Sequence, residues 1–359
     1  KLMDDRLKIT ASIRYDKSRN FDGNISPRIS LTYGAGARKQ HNFRVSYQTG
    51  FRNPTTQDQY IGLDLGQTAL IGSAPENLDR YVETRNVSAA GQLIPGIAAT
   101  KVLTGRDAYE NAYTGESYKL YGDAIKAGST PANASSLLVV ATPTLVDAEE
   151  VKAFELGYRT LIKDFSVDVN GYYNVYNNFI SNSNTITPLY GQAGTALAAT
   201  ALENNDVRRF QVYTNSKAQV TSLGLGLGLS RKVYKNFELT ASYNYSQFSF
   251  DQSSDPSFEP SFNTPKHRAK AGLGNDKLFK NFGFNTNVRW NSEYQWQSTF
   301  IDGIVEENVV FDAQINYVIK ALGSVIKLGA TNIGGKDYIQ VIGAGSIGRQ
   351  FYATWTINP

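Results

Sequence analysis

From Phe165 to Val175 every second residue is apolar or glycine, and between them stand Ser166, Asp168, Asn170, Tyr172 and Asn174. The pattern returns with Phe237, Leu239, Ala241, Tyr243 and Tyr245 against Glu238, Thr240, Ser242, Asn244 and Ser246. It returns again with Phe311, Ala313, Ile315 and Tyr317 against Asp312, Gln314 and Asn316. A period of two belongs to extended strands with one apolar and one polar face. Shorter runs of the same kind begin at Leu7, Ile29, Phe43, Phe154, Phe282, Ile326 and Phe351. A strand is also expected over 209–230, where Leu223, Leu225, Leu227 and Leu229 alternate with Gly224, Gly226 and Gly228. Another is expected over 266–273, which makes about twelve strands in all.

Strands of about ten residues, closed by tyrosines and joined alternately by short and long connections, fit a transmembrane antiparallel β-barrel whose apolar face meets lipid. The turns at 34–40, 163–164, 233–236 and 275–281 are short, whereas 52–147, 180–206 and 251–265 are long. Barrels of this class keep the short turns in the periplasm. Only 19% of residues are charged, and 22 Tyr and 18 Phe supply aromatic surface. A mean hydropathy of −0.35 is compatible with spanning, because only alternate residues of a strand face lipid. No apolar run approaches the ~18 residues of a spanning helix. The absence of cysteine excludes disulfides, thiol nucleophiles and thiolate metal sites. A net charge of +4 without a Lys/Arg cluster argues against nucleic acid as a partner. Lys1 is not an initiator Met and no signal peptide is visible, so a processed or partial chain is expected.

Four segments then carry a resemblance. YQTGFRNP at 47–54 with QDQY at 57–60, FELGYR at 154–159, TNIGGKDY at 331–338 and GRQFY at 348–352 resemble, in this order, the barrel signatures of TonB-dependent outer-membrane receptors. The stretch 56–81, with IGL at 61–63 and GSAPENL at 72–78, is similar to the branch that carries a carboxypeptidase-regulatory-like domain. The resemblance implies the C-terminal part of a barrel of about twenty-two strands around a plug. It also implies TonB-dependent active uptake of a nutrient across the bacterial outer membrane, with no catalysis and no cofactor. The implied partners are membrane lipid, the plug domain of the same protein, the TonB complex reached through an N-terminal part outside this sequence, and a surface lipoprotein lid. The chain departs from many such barrels in ending WTINP rather than in an aromatic residue.

Residues 52–147 are expected to form a large extracellular cap, since so long a connection is usually functional. Its Tyr60, Tyr81, Tyr109, Tyr113, Tyr118 and Tyr121 are the candidate ligand or partner contacts. By parity Arg44, Glu155, Arg159, Asp168 and Arg289 fall on the polar face and are the candidate lumen wall, joined by Arg268, Lys270, Asp312 and Lys327. A solvated charge network without selectivity would place the same residues there. The glycines at 224, 226 and 228 would leave the inner wall smooth for close packing, or simply be tolerated in a wide lumen.

GAGSIG at 343–348 has the dinucleotide spacing, but no helix is expected after it, so it reads as a hairpin loop. His41 and His267, the only histidines, have no second ligand at metal spacing, and no catalytic constellation is evident. Two rivals remain at this stage. A self-contained twelve-stranded pore or enzyme would share the parity, although narrow barrels fill their interiors with side chains. A soluble all-β binding protein would leave rows of aromatics uncovered.

Overall fold

Twelve antiparallel strands pair in chain order into one sheet, each hydrogen-bonded to its neighbours in the sequence of wall strands, the first and last having one neighbour each. The computed structural model describes residues 3–18, 21–256, 258–298 and 301–357. The wall strands are β1 (Leu7–Asp16), β2 (Asn24–Ala35), β3 (His41–Arg52), β4 (Glu149–Ile162), β5 (Phe165–Asn177) and β6 (Val220–Val233). They continue with β7 (Phe237–Ser249), β8 (His267–Phe279), β9 (Phe282–Asn291), β10 (Asn308–Ile319), β11 (Ser324–Thr331) and β12 (Gln350–Ile357). Register keeps like faces together: Val169 lies between Tyr158 of β4 and Leu227 of β6, and Asn170 between Gly157 and Gly226. The apolar face stays uncovered, with Ile13 74% and Trp355 62% exposed. A soluble sheet would not leave such a face bare, whereas lipid covers it without a second layer.

β1 pairs only with β2 and β12 only with β11, so among the described residues the twelve strands do not close on themselves. A twelve-stranded pore requires that closure, because an open edge in lipid leaves backbone groups unpaired. The turns between β2 and β3, β4 and β5, β6 and β7, β8 and β9, and β10 and β11 all gather at one rim. The long connections gather at the other.

The expected continuous strand over 209–230 is corrected by the structure. Val207–Asn215 leaves the wall and pairs with Ile180–Pro188, and β6 begins only at Val220. The apolar parity changes phase between Val212 and Leu223, and one strand cannot keep a single face across such a shift. Asp255 pins the break, accepting from Ser216 Oγ at 2.9 Å and from the Lys217 amide at 3.0 Å. The reading of 180–206 as a plain loop is corrected too, since it holds the strand Ile180–Pro188 and a helix, Ala196–Glu203. The helix follows from an alanine-rich run capped by Thr195, whose hydroxyl accepts from the Ala198 amide.

These elements merge with residues 53–148. One five-stranded sheet runs in the order Gly62–Asp64, Thr68–Ile71, Val207–Asn215, Ile180–Pro188, Tyr113–Thr114. The second long connection thus supplies the two central strands and the first supplies the flanks. Ile71, Leu103, Tyr109, Phe210 and Val212 close one core, and Tyr113, Tyr121, Ala198 and Leu202 another. Arg208, only 4% exposed, ties the unit together through Asp64 at 2.7 Å, Glu83 at 2.8 Å and the Gly66 carbonyl at 2.7 Å. Burial alone would raise the Asp64 carboxyl, but the Gly66 amide and the Arg208 guanidinium hold it below the usual range. Asp206 adds a second tie, accepting from the Ser88 amide at 2.6 Å and the Ser88 hydroxyl at 2.8 Å.

Candidate functional site

Three of the six cap tyrosines are structural. Tyr109, Tyr113 and Tyr121 are 6%, 2% and 6% exposed and lie within the cap cores. The Tyr109 hydroxyl donates to the Tyr213 carbonyl at 2.7 Å, and burial pushes its pKa far above the usual 10. The Tyr113 hydroxyl is turned into the cap, where it accepts from the Gly194 amide at 2.8 Å. Tyr81 packs edge-on against Phe210, and Tyr60 donates to Glu76 at 2.9 Å at the cap surface. Tyr118, half-buried like Tyr60 and Tyr81, stacks on Tyr121 at 6.2 Å with Arg209 over its ring at 5.7 Å.

Around that stack opens a cleft of about 1220 Å³. One side is the helix Gly115–Lys126 with Asn184, Ile186 and Arg209 from the central strands. The other is formed by Gln252, Phe258 and Glu259 from the β7–β8 connection and by Gln297 from the β9–β10 connection. Four long connections therefore build one site. Below it, Phe258 packs edge-on with Phe179 and Phe250, and Phe262 stacks on Phe248 at 3.9 Å. Burial, then the nearby Asp302 charge, raises the Glu259 carboxyl above its usual range, against the Asn184 amide that donates to it at 3.3 Å.

The cleft lining carries Glu116, Asp123, Glu203 and Glu259 against Lys119, Lys126 and Arg209, four acids to three bases. Such a surface offers paired hydrogen-bonding groups and an aromatic platform rather than a field of one sign. The alternation of the wall could not reveal Arg209, Asn184, Glu259 or Gln297. One signal was present: a strand over 209–230 would aim Arg209, Gln211 and Lys217 at lipid, which is costly.

The candidate wall residues fall where parity puts them, and they pair across strands. Arg159 faces Asp168 at 3.7 Å, and Arg44 approaches Glu155 at 3.9 Å while Ser46 donates to the same carboxylate at 3.1 Å. Arg289 holds Asp312 with two bonds, 2.9 and 3.2 Å, and Asp312 also accepts the Asn332 amide at 3.1 Å. The wall site and the cleft are separate clusters. The glycines of β6 are roofed by their neighbours: a Cβ on Gly224 would strike the Tyr172 ring, and one on Gly226 the Asn170 amide. The inner wall there is covered by β5 side chains and is not bare.

His41 and His267 belong to aromatic clusters on the apolar face of the wall. His41 Nδ1 and the Tyr158 hydroxyl are 2.9 Å apart at the short-turn rim. His267 Nδ1 and the Tyr243 hydroxyl are 2.7 Å apart at the other rim, with Trp290 stacked alongside. Aromatic belts mark the two membrane interfaces of a barrel. Among the described residues no group of three or more His, Cys, Asp or Glu could hold a metal. GAGSIG at 343–348 forms a hairpin tip, with Tyr338 and Ile347 exchanging backbone bonds of 3.2 and 2.8 Å.

The fold has relatives of known structure. The siderophore receptor PirA from Acinetobacter baumannii superposes with a TM-score of 0.58 at 12% identity, over 99% of this chain and 44% of its own. A ferric enterobactin receptor (PfeA) mutant from Pseudomonas aeruginosa gives 0.58 at 12%, over 98% and 43%. The outer membrane transporter YddB from Escherichia coli gives 0.53 at 10%, over 98% and 43%. The chain thus spans less than half the length of these proteins, and at such identities the likeness is one of fold. No curated protein matches the sequence. The family model described as "TonB dependent receptor-like, beta-barrel" matches residues 1–333. With an unclosed antiparallel wall, a polar inner face and a match over nearly its whole length, the chain belongs to the TonB-dependent receptor β-barrel family of the bacterial outer membrane.

Proposed function

We propose that this chain is the wall and the extracellular cap of a TonB-dependent receptor that captures a nutrient in the cleft and passes it through the lumen. The observation that carries this reading is the cleft itself, built at the long-connection rim by four separate connections above a polar wall. By the rule for this class that rim is extracellular. Energy would enter through a plug seated against the wall that Arg44, Glu155, Arg159, Asp168 and Arg289 line, and through the TonB complex beyond it. A surface lipoprotein lid would close over Tyr60 and the outer cap.

Balanced charge and the Tyr118–Tyr121 platform favour a neutral ligand rich in hydroxyl or amide groups over a polyanion. Deleting 63–142 is not a clean test, because Thr68–Ile71 pairs with Val207–Asn215 and its loss would open the cap core. Arg209→Ala with Tyr118→Ala removes no fully buried member of either core, Tyr118 packing on the second only from its edge. In cells at limiting nutrient, the double variant should assemble normally and lose roughly tenfold or more in uptake, the scale of two lost binding contacts. Parental uptake by an assembled variant would remove the cleft from the transport path.

A further inference from the structure

The outer face of the wall carries a groove of about 950 Å³. It follows the register: Phe165, Arg231, Leu239, Leu273, Thr286 and Ala313 are successive partners across β5 to β10, and all line it. Its floor is made of small residues, Ala241, Ala271 and Ala313, between walls of Leu229, Val288 and Phe311. The row also climbs. Phe165 directly follows the short turn at 163–164, whereas Ala313 lies six residues before the end of β10 at Ile319. Six residues of strand rise about 20 Å, so in tilted strands the groove spans roughly one leaflet.

At its lower end the groove meets Arg231, exposed on the lipid-facing side between Phe165 and Leu239. Among the described residues Arg231 has no acidic partner. An unpaired guanidinium beside an acyl-chain-sized groove at the periplasmic rim is complementary to one molecule: a phospholipid of the inner leaflet with an anionic head. We propose that this groove is a specific site for such a lipid, with the phosphate on Arg231 and one acyl chain on the alanine floor. The assignment rests on which face meets lipid and which rim is periplasmic, and not on nutrient capture in the cleft.

The test uses the full-length receptor in nanodiscs of phosphatidylcholine carrying a minor share of phosphatidylglycerol, with retained lipid counted by native mass spectrometry during detergent washing. Wild type should retain phosphatidylglycerol about tenfold over its share, the scale of one charge-assisted hydrogen bond. Arg231→Gln should lose the preference but keep bound lipid, and Ala271→Trp should lose both. High salt should weaken the wild-type preference, a reading that needs no variant to fold. Equal retention of both lipids, a preference indifferent to salt or to Arg231→Gln, or lipid A recovered in place of phospholipid would overturn the proposal. None of these outcomes bears on uptake.

Discussion

At the scale of single residues, parity assigns opposite fates to neighbours. Val169→Arg at mid-strand should impair assembly by about 2 to 4 kcal/mol, whereas Asn170→Arg on the inner face should be tolerated. Heat-modifiable mobility of the two variants checks this, and equal effects would remove the assignment of faces. In the cap, Arg208→Ala removes one of the two guanidinium partners of Glu83 and leaves Arg85 at 2.6 Å, so the cap should lose about 1.5 to 3 kcal/mol while the wall stays assembled. Faster proteolysis confined to 53–148 and 178–219 would show it. Glu259 gives a pH signature. Its carboxyl is raised above the usual 4.5 in the folded state, so the charged form is the disfavoured one. Stability at the cleft is therefore lost as pH rises from that value through the raised one, and regained as pH falls. Glu259→Gln should protect the 250–266 connection from hydrogen exchange at neutral pH, with the difference vanishing below about pH 4. A variant advantage that persists in acid would contradict the cause assigned here.

At the scale of elements, the wall strands were legible because each faces two uniform media, and uniform media impose a strict alternation. β1 to β5 and β7 to β12 appear at the expected places for that reason, save that β8 runs on through the expected turn at 275–281 as far as Phe279, with a register shift after Asn275. The cap was not legible from period. Its strands are short, and Phe210, Gln211 and Val212 are buried in succession, so no single face is written into the sequence. What could be read was the parity shift between Val212 and Leu223, the adjacent Arg208 and Arg209, and the alanine-rich run behind Thr195. The wall charges were found by parity alone, whereas the cleft residues come from four connections that only the fold brings together. Asp255 holds the point where the chain leaves the wall, through Ser216 and Lys217. Asp255→Ala should loosen the junction between Val207–Asn215 and β6 without altering wall assembly, which hydrogen exchange at 216–219 would report.

At the scale of the whole molecule, the account stands on the wall being an arc of a wider plugged receptor and not a closed twelve-stranded pore. A closed ring of twelve would leave little space for a plug, and the proposed path from cleft to lumen would lose its gate. These 359 residues contain no cysteine, so any thiol elsewhere in the receptor is first replaced by serine and the introduced pair then reports alone. The most direct measurement is cross-linking in the intact, membrane-embedded receptor, with cysteines at Ser12 of β1 and Thr354 of β12 and at the positions flanking them. A control pair at Ser12 and Arg28, register partners in β1 and β2, should link readily. The account predicts that the control forms and that no β1–β12 pair does. A β1–β12 bond at any register, formed as efficiently as the control, would show the twelve strands closing on themselves and would contradict it.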